Sequence, residues 1–286
     1  MNKVGFIGVG IMGKSMVRNL MKAGFELHIY ARTKSKVEDV IGEGAQFHES
    51  IKDCVQDCDA VITIVGFPQD VEEVYFDEGN ILDSAKEGAY LIDMTTTSPQ
   101  IAEKIYEEGT KRGFHVMDAP VTGGDTGAKA GTLSILVGGE KEDYEACMPL
   151  FEAMGTNINY QGKAGCGQHC KLANQIMIAG TLSGVCEALT YAKEQGLDPE
   201  VFMKSVATGA AGSKQLDTFG PKILKDDYAP GFFMKHFIKD MKLALIEANR
   251  KGLSLDVLSM VLANYEELEQ EGYGDLGTQA LIKYYE

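Results

Sequence analysis

The sequence predicts an α/β fold in which a doubly wound, mainly parallel sheet forms the N-terminal domain and an all-helical domain follows it. First, short β-rich apolar runs alternate with helical patterns over about the first 160 of the 286 residues. Second, only helical periodicity remains after Gly162. We therefore expect residues 1–162 to form one domain and residues 163–286 to form another, which begins with a long helix.

The chain begins with an expected strand, a glycine-rich turn and a helix. Residues 4–7 are apolar, and Gly8, Gly10 and Gly13 follow them in the spacing Gly-x-Gly-x-x-Gly. In such a unit the first glycine permits a tight bend, the second lets a pyrophosphate approach the backbone, and the third lets the helix pack closely. This context predicts a Rossmann dinucleotide-binding domain. The candidate cofactor contacts in the turn are Gly8, Gly10, Ile11, Met12 and Gly13.

The segment after the second expected strand, 26–30, bears on the choice of cofactor. NAD-binding domains carry an acidic residue there for the ribose hydroxyl, whereas an arginine suits the 2′-phosphate of NADP. This chain has no carboxylate in the segment and has Arg32, Thr33 and Lys36 instead. These residues predict NADP as the preferred cofactor, with NAD as the alternative. The structural alternative is a solvated basic loop that leads into a helix capped by Thr33 or Ser35.

Composition excludes several classes of partner. The formal net charge of −15 makes nucleic acid and anionic membranes poor partners. No apolar stretch of about 18 residues and no secretory leader is apparent, which predicts a cytoplasmic protein. The cysteines do not form a framework of the secreted type. Cys166, His169 and Cys170 cluster but lack a fourth ligand nearby, so we expect no metal site.

Further strands and helices are expected in alternation. Apolar runs predict strands at 60–65, 89–94, 114–119, 133–138 and 157–160, and helical patterns lie at 99–112 and 140–154. Because ligands gather where parallel strands end, the residues that close or follow these runs are candidates for binding. Val65 closes the first run and Thr96 follows the second, so both are candidate cofactor contacts. Ser98 and Pro99 suit the start of a helix instead.

The loop after the third of these strands is a candidate carboxylate site. Thr122, Gly123 and Gly124 supply a hydroxyl and two backbone N–H groups in sequence, an arrangement by which backbone holds small anions. Phe232 and Phe233 lie in a Pro-Gly-Phe-Phe segment and could close the far end of a substrate pocket. These features together predict a small, carboxylate-bearing substrate.

A helix that begins near Gly167 carries an unusual polar face. Lys171, Asn174, Gln175 and Ile178 are spaced at i, i+3, i+4 and i+7, so an amine and two amides share one side of an otherwise apolar helix. Buried polar groups need partners, which favours a solvated pocket on that face. A lysine that extends along the surface beside helix-packing amides is the open alternative.

Another helical pattern contains a lysine and an aspartate side by side. Phe237, Asp240, Leu243 and Ala244 would line one face of this helix, next to Lys239. The default expectation for adjacent opposite charges is a solvent-facing ion pair that contributes little to stability.

Four segments together resemble the β-hydroxyacid dehydrogenases, the group of 3-hydroxyisobutyrate dehydrogenase, tartronate semialdehyde reductase and glyoxylate/succinic semialdehyde reductase. The resemblance extends along essentially the whole chain. The segments are GFIGVGIMG at 5–13, DAPVTGG at 118–124, GQHCKLANQ at 167–175 and KDMKLAL at 239–245.

The resemblance implies a role for each candidate. Lys171 would be the catalytic lysine and Asn174 an amide that orients the substrate. Thr96 and Lys239 would contact the cofactor, and Asp240 would support Lys239. The loop Thr122, Gly123 and Gly124 would bind the substrate carboxylate. The resemblance also implies that the helical half wraps around a partner subunit, which gives a homodimer or homotetramer.

Two departures and two alternatives remain. Thr122 replaces the commoner serine, and Gln175 replaces the second asparagine of the hydroxyisobutyrate type, so the exact substrate stays open. Imine reductases share this architecture but generally lack the lysine that corresponds to Lys171. A catalytically silent NADP-binding protein is the non-enzyme alternative, and it would be expected to have lost one of the polar groups.

Overall fold

A computed structural model describes residues 1–286 of the chain. It contains two compact units, Met1–Lys171 and Leu172–Glu286. The functional division at residue 162 remains a prediction, because the two units are distinguished by packing and not by activity.

The first unit is built on a nine-stranded sheet with the order β3-β2-β1-β4-β5-β6-β8-β7, and β9 pairs with β8. The strands are β1 Lys3–Ile7, β2 Glu26–Tyr30, β3 Gln46–Phe47, β4 Ala60–Thr63, β5 Tyr90–Asp93, β6 His115–Asp118, β7 Val121–Thr122, β8 Leu133–Gly139 and β9 Gly155–Gly162. Strands β1 to β6 pair in parallel, whereas β8 runs antiparallel to β6 and β7. This strand order, with its reversal beside β1, is that of a doubly wound sheet.

Helices cover both faces of this sheet. They are α1 Ile11–Lys22, α2 Glu38–Gly42, α3 Ile51–Val55, α4 Pro68–Phe76, α5 Ile81–Ser84, α6 Pro99–Lys111, α7 Gly124–Ala130, α8 Lys141–Ala146 and α9 Met148–Met154. Neighbouring residues of a strand contribute to opposite cores: Phe6 and Ile62 belong to one apolar cluster, and Ile7 and Val61 to another. Such strands are buried on both faces, which explains why they appear in the sequence as continuous apolar runs.

Several local expectations are corrected by the structure. The predicted helix 140–154 is two helices that meet at Cys147, with Pro149 in the first turn of α9, a position where a missing N–H is tolerated. The predicted strand 60–65 ends at Thr63, which leaves Val65 in the loop. Neither Thr33 nor Ser35 caps a helix through its side chain, because a 3₁₀ turn occupies Lys34–Lys36 and α2 begins only at Glu38.

The second unit is helical. Its helices are α10 Cys166–Glu194, which begins in the first unit, α11 Pro199–Val206, α12 Lys214–Ile223, α13 Met234–Arg250 and α14 Asp256–Leu268, followed by a π turn at Glu269–Tyr273 and a 3₁₀ segment at Thr278–Tyr285. Leu182, Phe237 and Tyr265 are fully buried in its apolar core. The rings of Phe237 and Tyr265 meet edge to face, with their centroids 5.4 Å apart.

Helix α10 is long and apolar enough to cross a membrane by length and composition alone. The expectation that the chain has no such stretch was therefore wrong. The core helix of a soluble protein satisfies the same criterion, and Ala179, Leu182 and Cys186 of α10 are buried in the core of the second unit. Packing inside the second unit thus accounts for part of the apolar character of α10.

Candidate active site

The glycine turn between β1 and α1 has the shape that a pyrophosphate needs. Gly8 has φ +97°, and a Cβ there would meet the carbonyl oxygen of Ile64. A Cβ on Gly13 would meet the carbonyl oxygen of Gly8, whereas one on Gly10 would enter open space. No side chain caps the N-terminus of α1 at Gly10. The first N–H groups of α1 are therefore available to an anion, and the residues present fit the phosphates of a dinucleotide.

The basic segment after β2 lies at the surface. The Arg32 side chain is 70% exposed and forms an ion pair with Asp70, with 3.1 Å between Nη2 and Oδ1. Thr33 and Lys36 are also exposed. Asp70 lies in the first turn of α4, where its other oxygen accepts from the Phe67 N–H. The segment itself contains no carboxylate, but the fold brings one to it from the first turn of α4.

Three threonines leave β5, and they differ in burial. Thr95 and Thr97 are buried, while Thr96 between them is partly exposed. The Thr95 hydroxyl accepts from the Val65 N–H at 3.0 Å, which links the loop after β4 to the loop after β5. Both candidate cofactor contacts, Val65 and Thr96, are therefore at the carboxyl edge of the parallel strands, where ligands of this fold bind.

Asp93 at the end of β5 is a polar residue that the sequence analysis missed. Its Oδ1 accepts from the Thr63 hydroxyl at 2.7 Å and from the Thr95 N–H at 3.1 Å. Burial raises the pKa of Asp93 to about 6, and the Thr95 and Thr63 hydrogen bonds oppose this shift. The available signal was an aspartate next to the end of an apolar strand run. Asp93 shapes the start of the loop that carries Thr96.

The segment that is a candidate for binding the substrate carboxylate contains more regular secondary structure than expected. Val121 and Thr122 form the short strand β7, paired with Ile135 and Ser134 of β8. Gly123 and Gly124 have φ values of +132° and +65°, and α7 begins at Gly124. The expectation of an irregular loop was therefore wrong, because the antiparallel β8 provides the backbone partners. The positive φ angles require glycine and set the direction of the two N–H groups.

The start of α10 is bound to the ends of β5 and β6. The Asp118 carboxylate accepts from the N–H groups of Gly165 and Gln168, both at 2.8 Å. The Gln168 side chain, which is fully buried, donates to the Thr95 carbonyl oxygen at 2.7 Å and accepts from the Thr97 N–H at 3.0 Å. The sequence analysis named neither Asp118 nor Gln168 as a site residue, although both stand inside quoted motifs.

Lys171 lies one turn further along α10 and is only 7% exposed. Asn174 is partly buried, and its Nδ2 donates to Oε1 of Gln175 at 2.8 Å. The expected face of an amine and two amides is thus largely inaccessible to solvent. The alternative of a lysine extended along the surface does not describe this side chain.

The Lys239 and Asp240 pair is buried, so the expectation of a solvent-facing pair was wrong. The side chains are 12% and 1% exposed, and Nζ of Lys239 lies 3.0 Å from Oδ1 of Asp240. Nε2 of Gln175 donates to the other oxygen, Oδ2, at 2.7 Å. Asp240 occupies the same face of α13 as Phe237 and Ala244, which directs it into the core.

Phe232 precedes α13 and packs against the core of the second unit. Its ring centroid lies 6.1 Å from that of Phe237, edge to face, and 6.4 Å from that of His236. Phe233 is the N-cap residue of α13. No group of three or more His, Cys, Asp or Glu residues is arranged to hold a metal ion.

Two family models match almost the whole chain. The model of the NAD binding domain of 6-phosphogluconate dehydrogenase matches residues 3–162. The model of the NAD-binding region of NADP-dependent 3-hydroxyisobutyrate dehydrogenase matches residues 165–285.

Individual relatives agree with these models. The chain is 44% identical to the probable 3-hydroxyisobutyrate dehydrogenase-like 1, mitochondrial, of Arabidopsis thaliana, over 98% of this chain and 84% of that protein. It is 34% identical to the 2-hydroxy-3-oxopropionate reductase of Escherichia coli, over 98% and 96%. A solved structure of Mycobacterium tuberculosis 3-hydroxyisobutyrate dehydrogenase with L-serine aligns with a TM-score of 0.90 at 26% identity, covering 99% and 98%.

Imine reductases are more distant. The structure of the Myxococcus stipitatus enzyme aligns with a TM-score of 0.66 at 16% identity, a likeness of fold alone. The glycine turn, the helical second unit and the matched relatives lead to one family. The chain belongs to the β-hydroxyacid dehydrogenases and is an oxidoreductase that uses a nicotinamide cofactor.

Proposed function

We propose that the protein transfers hydride between NADP(H) and a small β-hydroxyacid or semialdehyde acid. Substrates of the 3-hydroxyisobutyrate, 2-hydroxy-3-oxopropionate, succinic semialdehyde or glyoxylate type would fit. The observation that carries the proposal is the buried amine of Lys171, three residues before Asn174 on one helix. An amine and an amide on one helix face supply a proton donor and a hydrogen-bonding group for a substrate.

Lys171 acts as the general acid in the reductive direction. Bound NADPH would supply the hydride, and reduction of a carbonyl leaves negative charge on its oxygen. A protonated Lys171 within hydrogen-bond reach stabilises that charge and then donates its proton. In the oxidative direction the neutral amine takes the proton back. Lysine suits this task because its ammonium can release a proton, which the guanidinium of arginine does not.

Asn174 orients the substrate, and its own orientation follows from its neighbours. An ionised carboxylate only accepts hydrogen bonds, so the amide nitrogen of Gln175 must face Asp240. The carbonyl oxygen of Gln175 then faces Asn174, which donates to it. One N–H of Asn174 is thereby committed, and its carbonyl oxygen and second N–H are left for the substrate.

Thr122, Gly123 and Gly124 bind the substrate carboxylate in this proposal. Their support is the pair of left-handed glycines directly after a hydroxyl-bearing residue. Phe232 limits the size of the substrate in this proposal, together with Phe233. Binding energy from the carboxylate would be used to hold the carbonyl carbon in position for hydride transfer.

NADP is the proposed preferred cofactor, and NAD is the weaker one. The support is the exposed basic segment with Arg32, Thr33 and Lys36. Lys239 and Thr96 contact the cofactor in this proposal, with Asp240 as the support of Lys239. The remaining proposed contacts are Gly8, Gly10, Ile11, Met12, Gly13 and Val65.

We further propose a cytoplasmic homodimer or homotetramer, with residues 163–286 as the substrate and oligomerisation domain. The support is a set of exposed apolar side chains on the helices of the second unit. Met177 and Tyr191 on α10 are 74% and 67% exposed, and Val257 and Met260 on α14 are 60% and 52% exposed. Large apolar side chains that are exposed in a contiguous patch mark protein interaction surfaces.

A substrate panel tests the proposed function. Purified protein is assayed with NADPH and with NADH against glyoxylate, succinic semialdehyde, tartronate semialdehyde and methylmalonate semialdehyde. The matched control is propanal, which lacks the carboxylate. We expect turnover of at least one acid with NADPH and poor turnover of propanal. Comparable kcat/KM with and without the carboxylate would contradict the carboxylate site, and reduction of a cyclic imine alone would favour the imine reductases.

A further inference from the structure

We propose that Gln168 is a positioning residue that fixes the loop carrying Thr96 relative to the helix carrying Lys171. The inference rests on the proposed roles of those two residues, in cofactor binding and in proton transfer. Gln168 touches neither reactant in this view. It acts by fixing the loop after β5 relative to the first turn of α10, both within the first unit.

The first observation is a fork of hydrogen bonds to the backbone on either side of Thr96. The Gln168 amide donates to the carbonyl oxygen of Thr95 at 2.7 Å and accepts from the N–H of Thr97 at 3.0 Å. The side chain thus pairs with this loop as a neighbouring strand would. A carboxylate lacks the donor and an apolar side chain lacks both groups, so glutamine is required for the complete fork.

The second observation concerns the backbone of the same residue. The N–H of Gln168 donates to Oδ2 of Asp118, and the N–H of Gly165 donates to Oδ1, each at 2.8 Å. Asp118 closes β6, and Thr95 follows the adjacent parallel strand β5. Gln168 is therefore bound to one strand end through its backbone and to the next through its side chain. Burial raises the pKa of Asp118, and the two backbone hydrogen bonds from Gly165 and Gln168 oppose this shift.

The third observation is close backbone packing around this point. A Cβ on Gly167 would meet the carbonyl oxygens of Leu136 and Asp118. A Cβ on Gly138 of β8 would meet the N–H of Gly167 and the carboxylate of Asp118. The first turn of α10 therefore lies directly on the strands, and no space remains for it to shift sideways.

The consequence for Lys171 follows from helix geometry. Lys171 is three residues after Gln168, which places it about 4.5 Å further along the axis and almost one full turn around. A rigid first turn then determines where the Lys171 side chain begins. Thr96 is held from both neighbours by the same Gln168 amide. Misplacement of a reacting group by about 1 Å can cost on the order of 10²-fold in rate.

The test compares Gln168→Met, which keeps length and loses both bonds, with Gln168→Glu, which keeps the acceptor for Thr97. We expect kcat to fall about 10- to 100-fold in Gln168→Met with NADPH affinity within about threefold of the wild type. The kinetic isotope effect with 4-deuterated NADPH should rise, since hydride transfer becomes slower than product release. A purely structural role would lower the melting temperature without changing the isotope effect.

The matched control is Asn264→Leu, which removes a buried amide on α14 of the second unit. It should cost stability but leave kcat and the isotope effect unchanged. If Gln168→Met does not fold, Gln168→Glu provides the same measurements. Wild-type kcat and isotope effect in folded Gln168 variants would overturn the inference. Lys171→Ala is assayed alongside, and full activity in that variant would instead remove the proposed role of Lys171.

Discussion

The molecule contains two polar regions that resemble each other in composition and differ in burial. The segment after β2 presents Arg32 and Lys36 to solvent, and the Arg32 side chain is 70% exposed beside Asp70. Gln175, Lys239 and Asp240 form a cluster in the second unit, in which Asp240 is 1% exposed, pairs with the Lys239 amine and accepts a hydrogen bond from Gln175. Exposed charges are screened and hold no fixed geometry, whereas buried ones must be paired and therefore hold one arrangement.

The same contrast occurs within helix α13. Nζ of Lys235 lies 2.6 Å from Asp275, whose side chain is 79% exposed. Lys239 lies one turn further along and is 3.0 Å from the buried Asp240. We expect the shorter ion pair to contribute less to stability, because water competes for both of its partners. Burial, and not the N–O distance, therefore decides which of the two ion pairs we expect to contribute more to stability.

The largest expected effect belongs to the buried amine of Lys171. We expect Lys171→Ala and Lys171→Arg to lower kcat by about 10²–10⁴-fold, because a positioned general acid usually contributes that much. NADPH affinity should stay nearly unchanged. Steady-state kinetics and fluorescence titration measure the two quantities. Lys193→Ala, at the exposed end of the same helix, is the control. A Lys171→Ala enzyme with more than about a tenth of its kcat would contradict the mechanism.

The next prediction compares how much the two ion pairs of α13 contribute to the free energy of unfolding. Asp240→Asn removes the anion that pairs with Lys239 inside the protein, and we expect the second unit to lose about 3 kcal/mol of unfolding free energy. Asp275→Asn should change it by less than about 1 kcal/mol. Urea denaturation followed by circular dichroism measures both variants. Equal losses would show that burial does not decide the strength of these pairs.

A smaller effect is expected at the exposed segment. Arg32→Ala should weaken NADPH binding about ten- to a hundred-fold, since a charge-assisted contact to the 2′-phosphate contributes about 1.5–3 kcal/mol. NADH binding should hardly change. The control is Lys34→Ala. Lys34 lies in the same basic segment, but its amine pairs with Glu49. An equal loss for both cofactors in Arg32→Ala would point to adenine stacking or a structural role.

The smallest effect concerns the carboxylate next to Arg32. Asp70→Asn removes a negative charge near the proposed phosphate site and keeps an oxygen that can accept from the Phe67 N–H. We expect NADPH to bind up to about fivefold more tightly, because an exposed ion pair contributes at most about 1 kcal/mol. Isothermal titration at two salt concentrations would measure the change. Weaker binding would mean that Asp70 is needed to hold Arg32 in place.

Periodicity and turn chemistry predicted the elements that depend on neighbouring residues. The run at 26–30 is strand β2, and Ser98 caps α6 through its hydroxyl with Pro99 in the first turn. Predictions from local sequence signals were wrong where a segment contacts a partner that is distant along the chain. Thr122 was expected in a loop, but the antiparallel β8 draws it into a strand. Lys239 and Asp240 were expected in solvent because opposite charges side by side carry no information about what packs over them.

By itself the sequence determined the doubly wound and helical fold class, the glycine turn and the family. These are encoded by apolar spacing, by the conformational freedom of a few glycines and by short motifs, all of which are local along the chain. Tertiary structure alone decided which polar groups meet. Gln168 and Thr95 are 73 residues apart, and Gln175 and Asp240 are 65 apart. Such contacts depend on how strands and helices pack, and the burial that packing creates is what gives them fixed geometry.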